Sequence, residues 1–381
     1  MSSDSTKSIR AKTSTSTWNP TNFSDLPTHI VRHYIPPLTS TSHKGSSGRI
    51  GILGGSERYT GAPYYAAMAS LKVGSDLAFV FCAKEAAIPI KCYSPELMVS
   101  SVYAAEEFTH ALEMEGLEGE QLREQLVRNM VKEVTSLFDR MHVLVVGPGL
   151  GRCPLVMRAT AEIIRQALQC RLALVLDADA LFLLTQRPYK DLLGVVDGGA
   201  DKMVVLTPNA MEFERLKVAI ADCSTAGERE QVEESYEGVI VVQKGQYDRV
   251  SFMSSLWDAK DDTGSSSPSV MICREEGGLK RSGGLGDILS GSIGTFLAWN
   301  QLLRNEHGEN PTTIPRDDEL WLHVSVEKLL PCWAACCVAK QATKAAFSKK
   351  RRAMTAPDVL EEIGSVVEEI LAPHFKENAL L

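Results

Sequence analysis

The sequence predicts an α/β fold built on a central, mostly parallel sheet. Short apolar runs recur along the chain and are apolar throughout rather than alternating, as strands covered on both faces are. Helix-prone segments stand between them, in the strand–helix–strand order of a parallel sheet. Glycines follow some of these runs directly, at what would be the carboxyl ends of strands, where open α/β sheets bind ligands.

Residues 1–20 hold ten Ser/Thr and few large apolar side chains, so 1–27 reads as a disordered tail. It carries Lys7, Arg10 and Lys12 against Asp4, with a single Arg and no apolar face. A mitochondrial presequence should be Arg-rich and amphipathic. A cytoplasmic location is therefore expected, with a mitochondrial one as the alternative.

Gly48–Gly55 (GRIGILGG) reads as a strand ending in glycines, Pro63–Val73 as a helix with proline near its first turn, and Leu77–Cys82 as a second strand. Together they form a βαβ unit. Val143–Val146, Leu172–Leu176, Met203–Leu206 and Val239–Gln243 supply further strands. The charged stretch 104–140 reads as one or two surface helices, and the polar 258–269 as an exposed loop or hairpin tip. Ile288–Trp299 reads as a helix behind a glycine-rich segment. Lys349–Arg352, four basic residues in a row, reads as a solvated loop. Thr355–Leu371 reads as a closing helix with Thr355 at its N-cap. Residues 28–375 then form one domain.

With 381 residues the chain can bury a sizeable core without disulfides or metals. A net charge of −8 argues against a nucleic-acid partner, which would call for a basic face. No apolar run approaches the roughly 18–20 residues that cross a bilayer, so no membrane partner is expected. Nine cysteines include no CxxC pair, which argues against a zinc knuckle and for reduced thiols. Homo-oligomerisation stays open.

The candidate chemistry begins with a nucleotide site. The chain has no GxxxxGK[ST], so a Walker loop is excluded. Gly147-Pro148-Gly149-Leu150-Gly151-Arg152 follows a strand but misses the dinucleotide fingerprint, its third glycine coming one residue early. The strongest segment is Gly277–Gly294. Within it Ser282-Gly283-Gly284-Leu285-Gly286-Asp287 stands directly before a helix. Glycines there expose several unpaired N–H groups, and the helix terminus adds partial positive charge. The result is an anion hole suited to a phosphoryl group in flight, with the Asp287 carboxylate beside it.

GGLGDILSG resembles the GxGD signature of the ribokinase-like superfamily, and the chain is similar to the ATP-dependent NAD(P)H-hydrate dehydratases within it. The likeness runs from about residue 28 to 372. It is carried by His43-Lys44-Gly45, Gly54-Gly55-Ser56, Tyr59–Pro63, Ser94–Leu97, Gly147–Arg152, Leu176-Asp177-Ala178-Asp179-Ala180-Leu181, Thr207-Pro208-Asn209, Lys244-Gly245 and the GxGD segment. Leu285 departs from the small or polar residue expected between the glycines. The resemblance implies a ribokinase-like three-layer sandwich, α/β, with helices flanking a central, mostly parallel sheet.

It also implies an enzyme that dehydrates the (S)-hydrates of NADH and NADPH at the cost of ATP. The γ-phosphoryl moves to the C6 hydroxyl, and phosphate then leaves. A kinase of the same fold acting on a vitamin precursor, and a non-catalytic nucleotide-binding protein, are the alternatives. The expected partners are the hydrated dinucleotide and ATP as co-substrate, with Mg²⁺ as cofactor. By the same resemblance Asp287 is the base, and Gly284 and Gly286 supply catalytic amides. Substrate contacts fall to Gly151 and Asp287, and to Asn209, Ala210, Met211, Glu212, Phe213, Glu214 and Arg215. Asn209 and Glu212 match the superfamily's Mg²⁺ pattern, and Asn209 also suits an N-cap after Thr207-Pro208, two roles that are compatible. ATP is expected on Lys244, Gly245, Gln246, Tyr247 and Asp248. It is also expected on Gly277, Gly278, Leu279, Lys280, Arg281 and Ser282, continuing through Gly283, Gly284, Leu285 and Gly286. Asp287, at a helix N-terminus, is expected to be ionised at neutral pH.

Overall fold

The computed structural model describes residues 20–194, 203–254, 270–307 and 324–375. Its strands are β1 (Arg49–Leu53), β2 (Leu77–Ala83), β3 (Met98–Tyr103), β4 (Val143–Val146), β5 (Ala173–Leu176), β6 (Val204–Leu206), β7 (Ile240–Gln243), β8 (Asp248–Phe252) and β9 (Val270–Cys273). They form one nine-stranded sheet in the order β3-β2-β1-β4-β5-β6-β7-β8-β9. From β3 to β7 every pairing is parallel. β8 runs antiparallel to both β7 and β9.

The six expected strands are present with bounds that agree to within a residue, except at β1, where the flanking glycines leave the ladder. β3 escapes that reading because it is the edge strand, with Ser100 and Ser101 exposed and no continuous apolar run. At the other end the chain returns antiparallel through β8 and β9, away from the alternating strand–helix order.

The helices are α1 (Thr28–Tyr34), α2 (Gly61–Val73), α3 (Lys84–Tyr93), α4 (Ala105–Glu113), α5 (Gly116–Thr135), α6 (Pro154–Gln169), α7 (Asp179–Leu184), α8 (Ala210–Ala221), α9 (Ala226–Ser235), α10 (Leu285–His307), α11 (Val324–Lys350) and α12 (Ala356–Phe375). β4 and β5 are buried at every residue, so both faces of the sheet are covered. α2, α10 and α11 pack on the sheet, and α12 packs on those three helices. α5 and α6 pack together against β3 and β5. One continuous apolar core joins the sheet to these helices.

Two expectations need correction, at residues 20–27 and at Lys349–Arg352, and others are sharpened. The folded body takes in residues 20–27, ahead of the expected boundary at 28. Phe23 and Leu26 are buried, and Phe23 stacks on Trp333 with ring centroids 6.3 Å apart. These apolar side chains and two hydrogen bonds, Arg274 N to Thr21 O at 2.8 Å and Phe23 N to Glu275 Oε1 at 2.9 Å, hold the segment on the body despite its polar surroundings. The 104–140 stretch is two helices, α4 and α5. The run at Lys349–Arg352 is not simply a loop. Lys349 and Lys350 end α11, where cations favour the helix dipole, and Arg351 opens a single 3₁₀ turn. Thr355 precedes α12 and donates through its backbone N and its Oγ1 to Asp358, at 2.7 and 2.8 Å. Residues 1–19 and the 258–269 segment lie outside the described residues. All nine cysteines are free thiols, five of them buried and Cys92 and Cys170 exposed. No helix among the described residues is long and apolar enough to cross a membrane.

Candidate active site

β5, β6 and β7 end side by side, and each releases a polar residue at its carboxyl end. β5 releases Asp177, β6 leads through Thr207 and Pro208 to Asn209, and β7 releases Lys244. Lys244 N donates to Pro208 O at 3.0 Å, which ties the last two ends together. Lys244 Nζ lies 2.9 Å from Asp177 Oδ1, and the Asp177 side chain is only 3% exposed. Gly147, after β4, holds Asp177 close: a Cβ there would sit 1.9 Å from the Asp177 carbonyl oxygen, so only glycine fits. The next residue, Ala178, has φ 48° and ψ −111°. Strain of this kind in a non-glycine residue costs about 1–3 kcal/mol and persists where neighbours enforce it.

α10 brings its N-terminus to the same edge. Its ladder opens with Ile288 N donating to Gly284 O at 3.0 Å. Among the described residues no backbone carbonyl accepts from the amides of residues 283–287. Gly284 has φ +92°, and a Cβ on it would meet Tyr65 Cδ2 at 2.7 Å and Ala356 Cβ at 2.8 Å. That position is therefore glycine on both conformational and steric grounds. At Gly286 a Cβ would lie 3.3 Å from Lys244 Nζ and 3.9 Å from Asp177 Oδ2. Gly286 thus stands right beside the Lys244–Asp177 pair, in the turn whose amides are not used by the backbone ladder. Leu285 packs partly against the core, and its amide stays in the first turn with the others.

Asp287 does not hold the fully ionised state expected of a helix N-terminus. Burial, with the like charge of Asp177 behind it, pushes its carboxyl up to about 7, while Lys244 pulls the other way. Burial lowers Lys244, but the charge of Asp177 and its hydrogen bond outweigh it, so the ammonium is held above its ordinary value. Asp287 also lines a cleft of about 770 Å³, of the size that takes small molecules (about 300–1,000 Å³). The cleft lies between the loop Ser56–Ala62 and the loop Gly149–Cys153, which Ser56 Oγ joins by donating to Gly149 O at 2.9 Å. Tyr59, Tyr103 and Phe108 give it aromatic walls.

The expected site residues fall into three groups. Gly151, Lys244, Gly284, Gly286 and Asp287 converge as described. Gly151 lines the cleft, though its N–H already donates to Asp179 Oδ2 at 2.9 Å. The stretch from Asn209 to Arg215 heads α8 and does not line that cleft. Phe213 turns into the core at 6% exposure, so its side chain is not a substrate contact. Glu214 pairs with Lys217 at 2.7 Å, and Ala210, Met211 and Arg215 are exposed.

Asn209 Oδ1 accepts from Met211 N and Glu212 N, both at 3.0 Å, and Glu212 Oε2 accepts from Asn209 N at 2.9 Å, a reciprocal capping box. With both lone pairs of Oδ1 used, Asn209 is the cap, while Glu212 commits one oxygen and keeps the other. Among the described residues no group of three His, Cys, Asp or Glu converges on a point where a metal could sit. A hard cation here would draw on Glu212, water and ligand phosphates.

Asp248 also departs from the expected ATP contact. It is buried, accepts from Gly245 N at 2.9 Å, and pairs with Lys340 Nζ at 3.2 Å. Lys340 Nζ further donates to Gly245 O at 2.7 Å and Gln246 O at 3.0 Å. One turn on, Thr343 Oγ1 accepts from Gly278 N at 3.1 Å. α11 therefore holds both expected ATP segments. In the second of them Gly278 is buried, Gly277, Lys280 and Ser282 are half-buried, and Leu279, Arg281 and Gly283 are exposed. In the first, Gln246 and Tyr247 are exposed.

Sequence reasoning gave no role to Asp177, Lys340 or Thr343. The available signals were an acid directly after the apolar run Leu172–Leu176 and a lysine following the apolar run 332–339.

A family profile described as NAD(P)H-hydrate dehydratase matches residues 50–365. The ATP-dependent (S)-NAD(P)H-hydrate dehydratase of Homo sapiens is 35% identical over 348 residues, covering 90% of this chain and 83% of that one. A ribokinase-like superfamily protein from Enterococcus faecalis superposes with a TM-score of 0.59 at 18% identity, over 91% of this chain and 95% of that one. The ADP/ATP-dependent NAD(P)H-hydrate dehydratase of Bacillus subtilis, co-crystallised with ATP/Mg²⁺, gives 0.53 at 16% identity, over 91% and 97%. The fold is ribokinase-like.

Proposed function

The chain belongs to the NAD(P)H-hydrate dehydratase family, and on that premise we propose that it restores NADH and NADPH from their (S)-hydrates at the expense of ATP. The observation that carries the reading is Asp287: a carboxylate in the lining of a substrate-sized cleft, directly beside unpaired amides at the head of α10. Hydroxide is a poor leaving group, and phosphate is a good one. The C6 hydroxyl oxygen attacks the γ-phosphorus of ATP, its proton passes to Asp287, and ADP departs. The C6–O bond then breaks with the electron pair leaving on phosphate. The ring-nitrogen lone pair forms the iminium, and loss of a C5 proton restores the dihydronicotinamide.

The protein's share is positioning and charge stabilisation, as in phosphoryl transfer generally. The amides of Leu285 and Gly286 take the charge of the migrating group, and Lys244, held by Asp177, adds a cation next to them, while the Asp287 amide donates to its own carboxylate. A base that titrates near the working pH is well matched to accepting this proton. The donor set at Glu212 fits Mg²⁺ held through water, and Mg²⁺ would neutralise charge on the ATP phosphates.

The test is stoichiometry. Purified protein with hydrated NADPH, ATP and Mg²⁺ should give NADPH, ADP and inorganic phosphate in equal amounts. A stable phosphorylated product would assign the protein to the kinases of this fold instead.

A further inference from the structure

The cleft must hold more than the reacting ring. If the proposed function holds, its substrate carries a doubly charged pyrophosphate between the nicotinamide riboside and the adenosine. Among the described residues lining the cleft the cations are Arg58 and Arg152. Arg58 is exposed, and no described residue bonds to it. Arg152 is held on two sides. Its Nε donates to Asp179 Oδ1 at 3.0 Å, and its guanidinium carbon lies 4.0 Å from the Phe182 ring centroid. Neither Nη has a protein acceptor among the described residues, and the side chain is 55% exposed. The other oxygen of Asp179 accepts from Gly151 N at 2.9 Å, so one carboxylate fixes both the loop backbone and the arginine that follows it.

A planar fork, oriented by an acid at Nε and an aromatic face beneath, with both terminal nitrogens free, suits an oxyanion pair. We propose that Arg152 binds the pyrophosphate of the hydrated dinucleotide, and that Asp179 and Phe182 are positioning residues that hold it ready. This rests on the proposed function and adds a substrate contact to it. It also accounts for Gly151: with its N–H already taken, its part is close backbone approach, and the charged contact comes from its neighbour.

The experiment compares wild type with Arg152→Ala, Arg152→Lys and Arg58→Ala in steady-state kinetics. The substrates are hydrated NADPH and hydrated reduced nicotinamide riboside, which has no phosphate. An exposed ion pair adds little stability, so the arginine variants should fold. Arg152→Ala should raise KM for hydrated NADPH about ten- to a hundredfold, the range of a charge-assisted contact, while kcat and the KM for ATP stay the same. Its KM, or its inhibition constant, for the riboside should not change. Arg152→Lys should fall between, keeping the charge but losing the fork. An unchanged KM for hydrated NADPH, equal effects on dinucleotide and riboside, or a dinucleotide-specific loss in Arg58→Ala instead would overturn the assignment. The wild-type arm separates the two claims: no conversion of hydrated NADPH defeats the proposed function, whereas conversion with an indifferent Arg152→Ala defeats only this inference.

Discussion

Lys244 and Asp177 form an ion pair, Nζ to Oδ1 at 2.9 Å, that lies beside Gly286 at the head of α10. The pair sets opposing demands on Asp287, since Asp177 raises its carboxyl and Lys244 lowers it.

With Asp287 pushed up to about 7, kcat/KM should fall as pH drops below that value, because the protonated acid cannot accept the substrate's proton. Asp177→Asn removes a like charge and leaves Lys244 to act unopposed. Both changes lower the Asp287 carboxyl, so the acid limb of the pH profile should move to lower pH. An acid limb that stays in place would show that another group governs it.

The same shift has a stability consequence. An acid whose folded value is raised binds more protons folded than unfolded between about 4 and 7, so stability falls as pH rises through that window. The cost is complete above about 7. Asp287→Asn should therefore melt higher than wild type at pH 8 and at the same temperature near pH 4, as thermal melts at the two pH values would show. Higher stability bought with lost activity is the usual pattern at such sites.

Two glycines separated by a single residue should behave differently. Gly284→Ala forces a Cβ into φ +92° and into the Tyr65 ring, so it should cost about 1–3 kcal/mol in denaturant unfolding as well as activity. Gly286→Ala has an ordinary φ and meets side-chain ends rather than backbone, Lys244 Nζ at 3.3 Å and Asp177 Oδ2 at 3.9 Å, so it should fold with a small adjustment of that pair. Its Cβ crowds the Lys244 ammonium beside the proposed phosphoryl site. The loss should appear in kcat, by about tenfold or more, the order seen when transition-state donors are disturbed.

Lys340→Met strands the buried Asp248 carboxylate and frees the 245–246 carbonyls that Lys340 holds. Removing one partner of a buried pair costs about 3–5 kcal/mol. KM for ATP should rise with it. Lys340→Met combined with Asp248→Asn should recover part of the stability without recovering the KM, which separates the fold from the loop's placement.

The sheet was legible where strands are buried on both faces, because β2, β4, β5, β6 and β7 read as apolar runs and β1 as a strand ending in glycines. It was not legible at β3, whose exposed serines break the pattern. Asp287 and its glycines were legible because an anion hole has a local signature. Asp177, Lys340 and Thr343 were not, because each acts through a partner distant in sequence: Asp177 through Lys244, Lys340 through Asp248, and Thr343 through Gly278. The Asn209 cap shows the opposite difficulty, since a metal-like spacing was satisfied by its own helix terminus.

The most direct test of the account is phosphate release by Asp287→Asn against wild type at pH 8, with saturating ATP, Mg²⁺ and hydrated NADPH. Loss of the base should slow turnover by about 10²–10⁴-fold while ATP still binds as tightly. Turnover at the wild-type rate would contradict the role given to that carboxylate, and with it the reading of the amides beside it.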